Sequence, residues 1–277
     1  MRVLLSLLAC LVAPLALSVP AAAQQKAGQA AERSLAQILA DSSREQDRAR
    51  DEWRHPAETL AFFRVLPGQT VVDYTPAGGW WTRVLVPYLG LSGRYIALNP
   101  DVRYSPEMAK YYANTSETFP AEAAKWAGID VSRIPAYNTD GLPTALNGTV
   151  DRILVFRAVH NLFRNGLLTR ELTAMRNLLK ADGLLGIEQH RAKTDAPAAY
   201  TDGSKGYMRE KDVVALVEAH GFDLVAKSEI NSNLRDTADY PGGVWTLPPS
   251  LEVEGEKARY RAIGESDRMT LLFRKRQ

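Results

Sequence analysis

Two rhythms of apolar residues take turns along this chain. Short β-branched and aliphatic runs at residues 71–74, 93–98, 134–137, 150–156, 184–189, 222–230 and 269–273 read as strands. Stretches with apolar residues three and four apart read as helices: 80–89, ending at Gly90, and 167–179, where Leu168, Leu172, Met175, Leu178 and Leu179 share a face and Lys180 to Gly183 close the end. A third is 209–219, with Val213, Val214, Leu216 and Val217 apolar. This alternation predicts an α/β domain over 56–277, with a doubly wound, mostly parallel, seven-stranded sheet and helices on both faces. Extra N-terminal helices precede it. Leu35, Ile38 and Leu39 mark one, Ser42 to Trp53 reads as a charged helix, and Pro56 starts another whose Leu60, Phe63 and Leu66 share a face before Pro67 and Gly68 stop it. Residues 24–55 are expected to form a helical cover. Residues 104–126 read as irregular helix at the sheet edge, and the long stretches 192–207 and 231–266 as a lid or substrate loop and a flap.

The centre of this pattern is Val71 to Leu85, a buried strand, a glycine turn and the start of a helix. Asp73 sits where the strand runs out, Gly78 and Gly79 permit a tight turn, and a helix starting at Trp80 would aim free backbone N–H groups at a ligand. The stretch resembles motif I of the class I S-adenosylmethionine-dependent methyltransferases, an acidic residue followed by three alternating glycines. Asp73 holds the acidic position, Thr75 and Ala77 stand at the first two glycines, and Gly79 keeps the third. Closer still is the predicted secreted branch of that superfamily, whose version places a bulky residue and proline before the glycines and continues Trp-aromatic-Thr. Pro76, Gly78, Gly79, Trp80, Trp81 and Thr82 are similar to it, and Ala77 departs from it. A second piece similar to the branch is FRAVHNLF, residues 156–163.

The resemblance implies a Rossmann-like methyltransferase domain that binds S-adenosyl-L-methionine, with Asp73, Ala77, Gly78, Gly79 and Trp80 at the cofactor. Asn99 closes the second strand, where an acidic residue usually holds the ribose hydroxyls, and Asp140 lies in a loop like the one that contacts the adenine amino group. A plain turn at Asp140 and Gly141 is the alternative for that loop. The glycine spacing does not match the dinucleotide pattern G-x-G-x-x-G, which disfavours a nicotinamide-dependent oxidoreductase.

The first residues add an address. Arg2, an apolar run from Val3 to Val19, and Ala21 to Ala23 read as a secretory signal peptide, 1–23, cleaved after Ala23. A retained anchor and lipidation at Cys10 are the weaker alternatives. Cleavage removes Cys10, the one cysteine, so neither a disulfide nor a thiol nucleophile is expected in a periplasmic or secreted product with no stable membrane span. Charge is nearly balanced, 34 basic against 32 acidic residues, and gives no sign of a nucleic-acid partner.

Methyl transfer from a sulfonium is an in-line displacement, so a protein mainly aligns donor and acceptor and adds a base where the acceptor must lose a proton. His160, after a strand that should end at the cofactor, is the candidate base, with Asn161 and Arg157 beside it facing a small-molecule or envelope acceptor. The alternative for His160 is packing against the helix near Leu167. His190, in the pattern Glu188-x-His190, is a candidate to join it. His160, His190, Glu188 and Asp140 have no diagnostic metal spacing, and no metal is expected. The competing function is a methyltransferase-fold binding or scaffold protein without activity.

Overall fold

Strand character shows most clearly where burial alternates. In β1, Thr70–Tyr74, Val72 and Tyr74 join the apolar core on one side of the sheet and Val71 joins the other. Ile153 and Val155 against Leu154 and Phe156 repeat the division further along. The structure, a computed structural model, describes residues 33–277. The leader, its cleavage point and Cys10 lie outside the described residues.

Four short helices come first: α1 Leu35–Leu39, α2 Glu45–Arg48, α3 Asp51–Arg54 and α4 Pro56–Phe62. The strands and helices then alternate as β1, α5 Thr82–Leu89, β2 Arg94–Asn99, α6 Pro106–Tyr112, α7 Thr115–Ala127, β3 Ala136–Asn138 and β4 Val150–Phe156. After these come α8 Val159–Arg164, α9 Leu168–Leu178, β5 Leu179–His190, α10 Ala198–Thr201, α11 Glu210–Ala219, β6 Phe222–Ser228, α12 Lys257–Ile263 and β7 Arg268–Lys275. The seven strands lie in the order β3-β2-β1-β4-β5-β7-β6, and β7 runs antiparallel to both its neighbours. One face is covered by α9, through Leu168, Leu172, Met175 and Leu178, and by α11, through Val213 and Val217. The opposite face is covered by α4, α5 and α7.

Three local expectations are corrected. The charged stretch 42–53 is not one helix but a 3-10 turn at Ser42–Arg44 followed by α2 and α3, interrupted near Arg50. Leu66 does not share the buried face of Leu60 and Phe63: Arg64 takes a left-handed φ of 54°, the chain leaves the helix, and Leu66 is exposed. Residues 180–183 do not merely close α9; β5 already begins at Leu179 and carries a register shift opposite Val150 and Arg152.

Chain direction turns at β1 and β4. The connections from β1 run outward through β2 to β3, and those from β4 run the other way, so these two strands flank the switch point. A crevice opens there at the carboxyl ends of the strands.

Candidate functional site

Asp73, next to last in β1, sits on the sheet face toward α5 and is buried. Its carboxylate accepts hydrogen bonds from Tyr95 Oη at 2.9 Å and Thr82 Oγ1 at 3.3 Å. Burial pushes its pKa up to about 6, against the lowering effect of those two bonds and of the Arg157 charge. Beyond it the backbone turns through left-handed values at Thr75 (54°), Ala77 (48°) and Gly79 (73°). Gly78 has no left-handed φ, and a Cβ there would meet nothing within 4 Å. Gly79 is therefore the glycine this turn requires: a Cβ on it would stand 2.2 Å from the Trp126 ring. α5 then begins at Thr82, with no side chain capping its first turn.

At the end of β4, Arg157 also has a left-handed φ, 56°, and its N–H donates to Glu188 O in β5 at 2.7 Å. Its Nη1 donates to Glu188 Oε1 at 3.1 Å, and burial lowers its pKa. His160, in α8, is buried, with Nδ1 3.3 Å from Gln189 Nε2 and 3.4 Å from Gln189 Oε1. Among the described residues its Nε2 has no hydrogen-bond partner. Burial pushes the His160 pKa down to about 4, so the ring is neutral at pH 7. His190, at the end of β5, lies 5.7 Å from it between ring centres and holds Ser266 Oγ at 2.6 Å through Nδ1. Burial pushes its pKa well down too.

Side chains from these strand ends share one cleft of about 380 Å³. Asp73, Ala77, Gly78, Trp80 and Trp81 line it from β1 and its turn, and Arg157, His160 and Asn161 from β4 and α8. Both tryptophans are buried. The Trp81 ring stacks on Phe156 at 4.2 Å, and its Nε1 has no partner. Two further walls close the cleft. The N-terminal segment supplies Asp47, Arg50 and Arg54; Asp47 pairs with Arg83, and the Arg54 guanidinium lies 4.7 Å over the Trp80 ring. The segment after β6 supplies Val244, Trp245, Pro248, Pro249 and Glu265.

This strand order around such a cleft settles the architecture. The chain has the class I methyltransferase fold. Among solved structures it is similar to the [4+2]-cyclase SpnF, at 14% identity over 80% of each chain with a TM-score of 0.52. It is also similar to a Galdieria sulphuraria protein described as a sarcosine dimethylglycine methyltransferase, at 15% identity over 83% of this chain and 85% of that one, TM-score 0.50. A SAM-dependent methyltransferase from Aquifex aeolicus shares 20% identity over 72% of this chain and 94% of its own, TM-score 0.48. No protein-family model matches the chain. No curated protein matches it either.

Within this methyltransferase fold, three expected cofactor residues stand outside the cleft lining. Asn99 is fully buried, lines none of it, and leaves Nδ2 and Oδ1 without partners. Asp140 is exposed and faces Arg103 at 3.3 Å, so its carboxylate is turned to a surface ion pair. Gly79 is also absent from the lining, because its open side faces Trp126. The four residues weighed for a metal are not brought together: Asp140 is at the surface, and Glu188 is held by Arg157 and Arg268. Sequence reasoning missed Arg50, Arg54, Glu265 and Tyr112, all in the lining. The first two lay in a stretch read only as a helical cover, and Tyr112 sat in a segment with no motif.

Proposed function

We propose that this chain is an exported S-adenosylmethionine-dependent methyltransferase acting on a small-molecule or envelope acceptor. The turn after β1 carries this reading. Thr75 and Ala77 hold left-handed backbone where only Gly79 is glycine, at a strain of about 1–2 kcal/mol each. Threonine, being β-branched, is especially ill suited there, and such strain persists where the shape of the turn is needed. Left-handed backbone at all three positions of the alternating-glycine pattern, Thr75, Ala77 and Gly79, supports the reading.

The residues present fit the cofactor. The turn opens on a cleft of about 380 Å³, within the roughly 300–1,000 Å³ of small-molecule sites. Trp80, Trp81 and Phe156 give it aromatic walls, and Ala77 and Gly78 bring backbone to its edge. When bound, the cofactor supplies an electrophilic methyl group. The chain's own part is to align the acceptor, exclude water behind the two outer walls, and accept a proton. His160 is neutral, and in the tautomer whose Nδ1–H donates to Gln189 Oε1 the unpartnered Nε2 is the atom available as base. Asn161 and Arg157 line the same side and would orient the acceptor.

A second reading, a binding or scaffold protein without methyl transfer, is favoured by Asn99 and Asp140 standing apart from the cleft. Titration calorimetry with S-adenosylmethionine and S-adenosylhomocysteine separates the two. Saturable heat below millimolar ligand is expected, and silence at millimolar concentration would leave the scaffold.

A further inference from the structure

Four arginines line the cleft; Arg83 is paired with Asp47, and the other three are Arg50 and Arg54 from the N-terminal wall and Arg157 from the end of β4. Arg50 Nε donates to Glu265 Oε1 at 2.7 Å, and Arg54 Nε to Glu265 Oε2 at 3.1 Å. Arg157 commits Nη1 to Glu188 Oε1 at 3.1 Å. Buried behind these three, Arg268 shares both carboxylates, at 3.0 Å from Glu265 and 3.2 Å from Glu188. Four guanidinium groups therefore meet two carboxylates. Among the described residues, the terminal nitrogens of Arg50 and Arg54 and the Nη2 of Arg157 have no hydrogen-bond partner.

The other acids nearby do not close this imbalance. Asp47 is spent on Arg83, with Nε to Oδ2 at 2.5 Å and Nη2 to Oδ1 at 2.9 Å. Asp73 opposes the Arg157 charge from a distance but forms no ion pair, its carboxylate being taken by Tyr95 and Thr82. A purely structural clamp would need no more cations than anions, since buried charge without a partner is costly. Guanidinium forks open toward a cavity match the paired oxygens of a carboxylate or phosphate.

We infer that the corner formed by Arg50, Arg54 and Arg157 is an anion subsite, and that the acceptor carries a carboxylate or phosphate held there. The word acceptor rests on the methyltransferase reading; the anion subsite does not. A carboxylate can come from two sources, the acceptor or the amino-acid end of the cofactor.

Inorganic phosphate is the probe, titrated into the protein at constant ionic strength, alone and with saturating S-adenosylhomocysteine or 5′-methylthioadenosine, the nucleoside that lacks the carboxylate. Phosphate is expected to bind equally well in all three conditions. Binding should weaken about tenfold in Arg50→Gln, which removes one charge-assisted contact from a partly exposed position, and stay unchanged in the remote Arg259→Gln. Arg157→Lys, which keeps the charge and loses the fork, is a second variant expected to weaken it. No binding to the wild type, or equal binding in Arg50→Gln and Arg157→Lys, would overturn the subsite. Displacement of phosphate by S-adenosylhomocysteine but not by methylthioadenosine would assign the corner to the cofactor and overturn its assignment to the acceptor. Arginine-dependent phosphate binding in a protein that ignores both nucleosides would support the anion subsite while removing the methyltransferase reading.

Discussion

Asp73 and His160 are two titratable side chains held in unfavourable protonation balance by burial, with opposite signs. Asp73 has its folded pKa raised to about 6, so the folded chain prefers the proton. Its contribution favours folding below the unfolded value near 4 and is lost as pH rises through 6. Asp73→Asn keeps the shape and an oxygen for Tyr95 without the charge. That variant is expected to be more stable than wild type at pH 7.5 by about 2 kcal/mol, with the gap closing near pH 3.5, as read by urea unfolding at each pH. An equal gap at both pH values would refute the desolvation account. His160, whose folded pKa is lowered to about 4, gives the reverse slope: its contribution is present above about 6.5 and lost as pH falls toward 4. Comparing Asp73→Asn with wild type at each pH cancels the His160 contribution, which both proteins share.

At the scale of elements, the β1 turn joins backbone strain to a close contact. Gly79→Ala puts a methyl group into the Trp126 ring and a side chain onto a φ of 73°. A loss of at least about 2 kcal/mol is expected in thermal or urea unfolding. Gly78→Ala, with open space and no left-handed φ, should change stability by less than about 0.5 kcal/mol. The strands were legible in the sequence to within a few residues because most are apolar over much of their length, a pattern set by their own residues. The turn was legible as a motif, but which of Gly78 and Gly79 carries the strain was not, since that depends on Trp126, 47 positions further along. Asn99 and Asp140 were placed by their position after a strand. Their surroundings, a closed interior for one and Arg103 for the other, are set by the helices and loops between strands, which carry no such regularity. The arginines of 44–54 read only as part of a charged helical cover because local sequence holds no hint of Trp80 or Glu265. The guanidinium groups of Arg44 and Arg54 lie over the Trp80 ring, which another element supplies.

Over the whole molecule, Glu265 fastens the N-terminal wall to the far side of the cleft by pairing with Arg50, Arg54 and Arg268. Arg268 continues the tie by donating to Trp53 O, and a Cβ on Gly264 would press into the Trp53 ring. Glu265→Gln removes the shared anion and leaves buried guanidinium groups facing one another. A destabilisation of about 3–5 kcal/mol is expected, together with faster amide hydrogen exchange confined first to residues 44–54. Unchanged exchange there would mean that the apolar contacts of Trp80 and Ile38 hold the wall without the ion pairs.

The same fastening sets an order of assembly. Arg50 and Glu265 are 215 positions apart, so the wall finds its anchor only after the polypeptide preceding β7 has been made and folded back. Contacts spanning most of a chain form slowly, because the intervening loop must be closed first. The cleft should therefore be among the last features to mature during folding, and a nascent or truncated molecule ending before residue 265 would carry the sheet's first strands without a finished chamber.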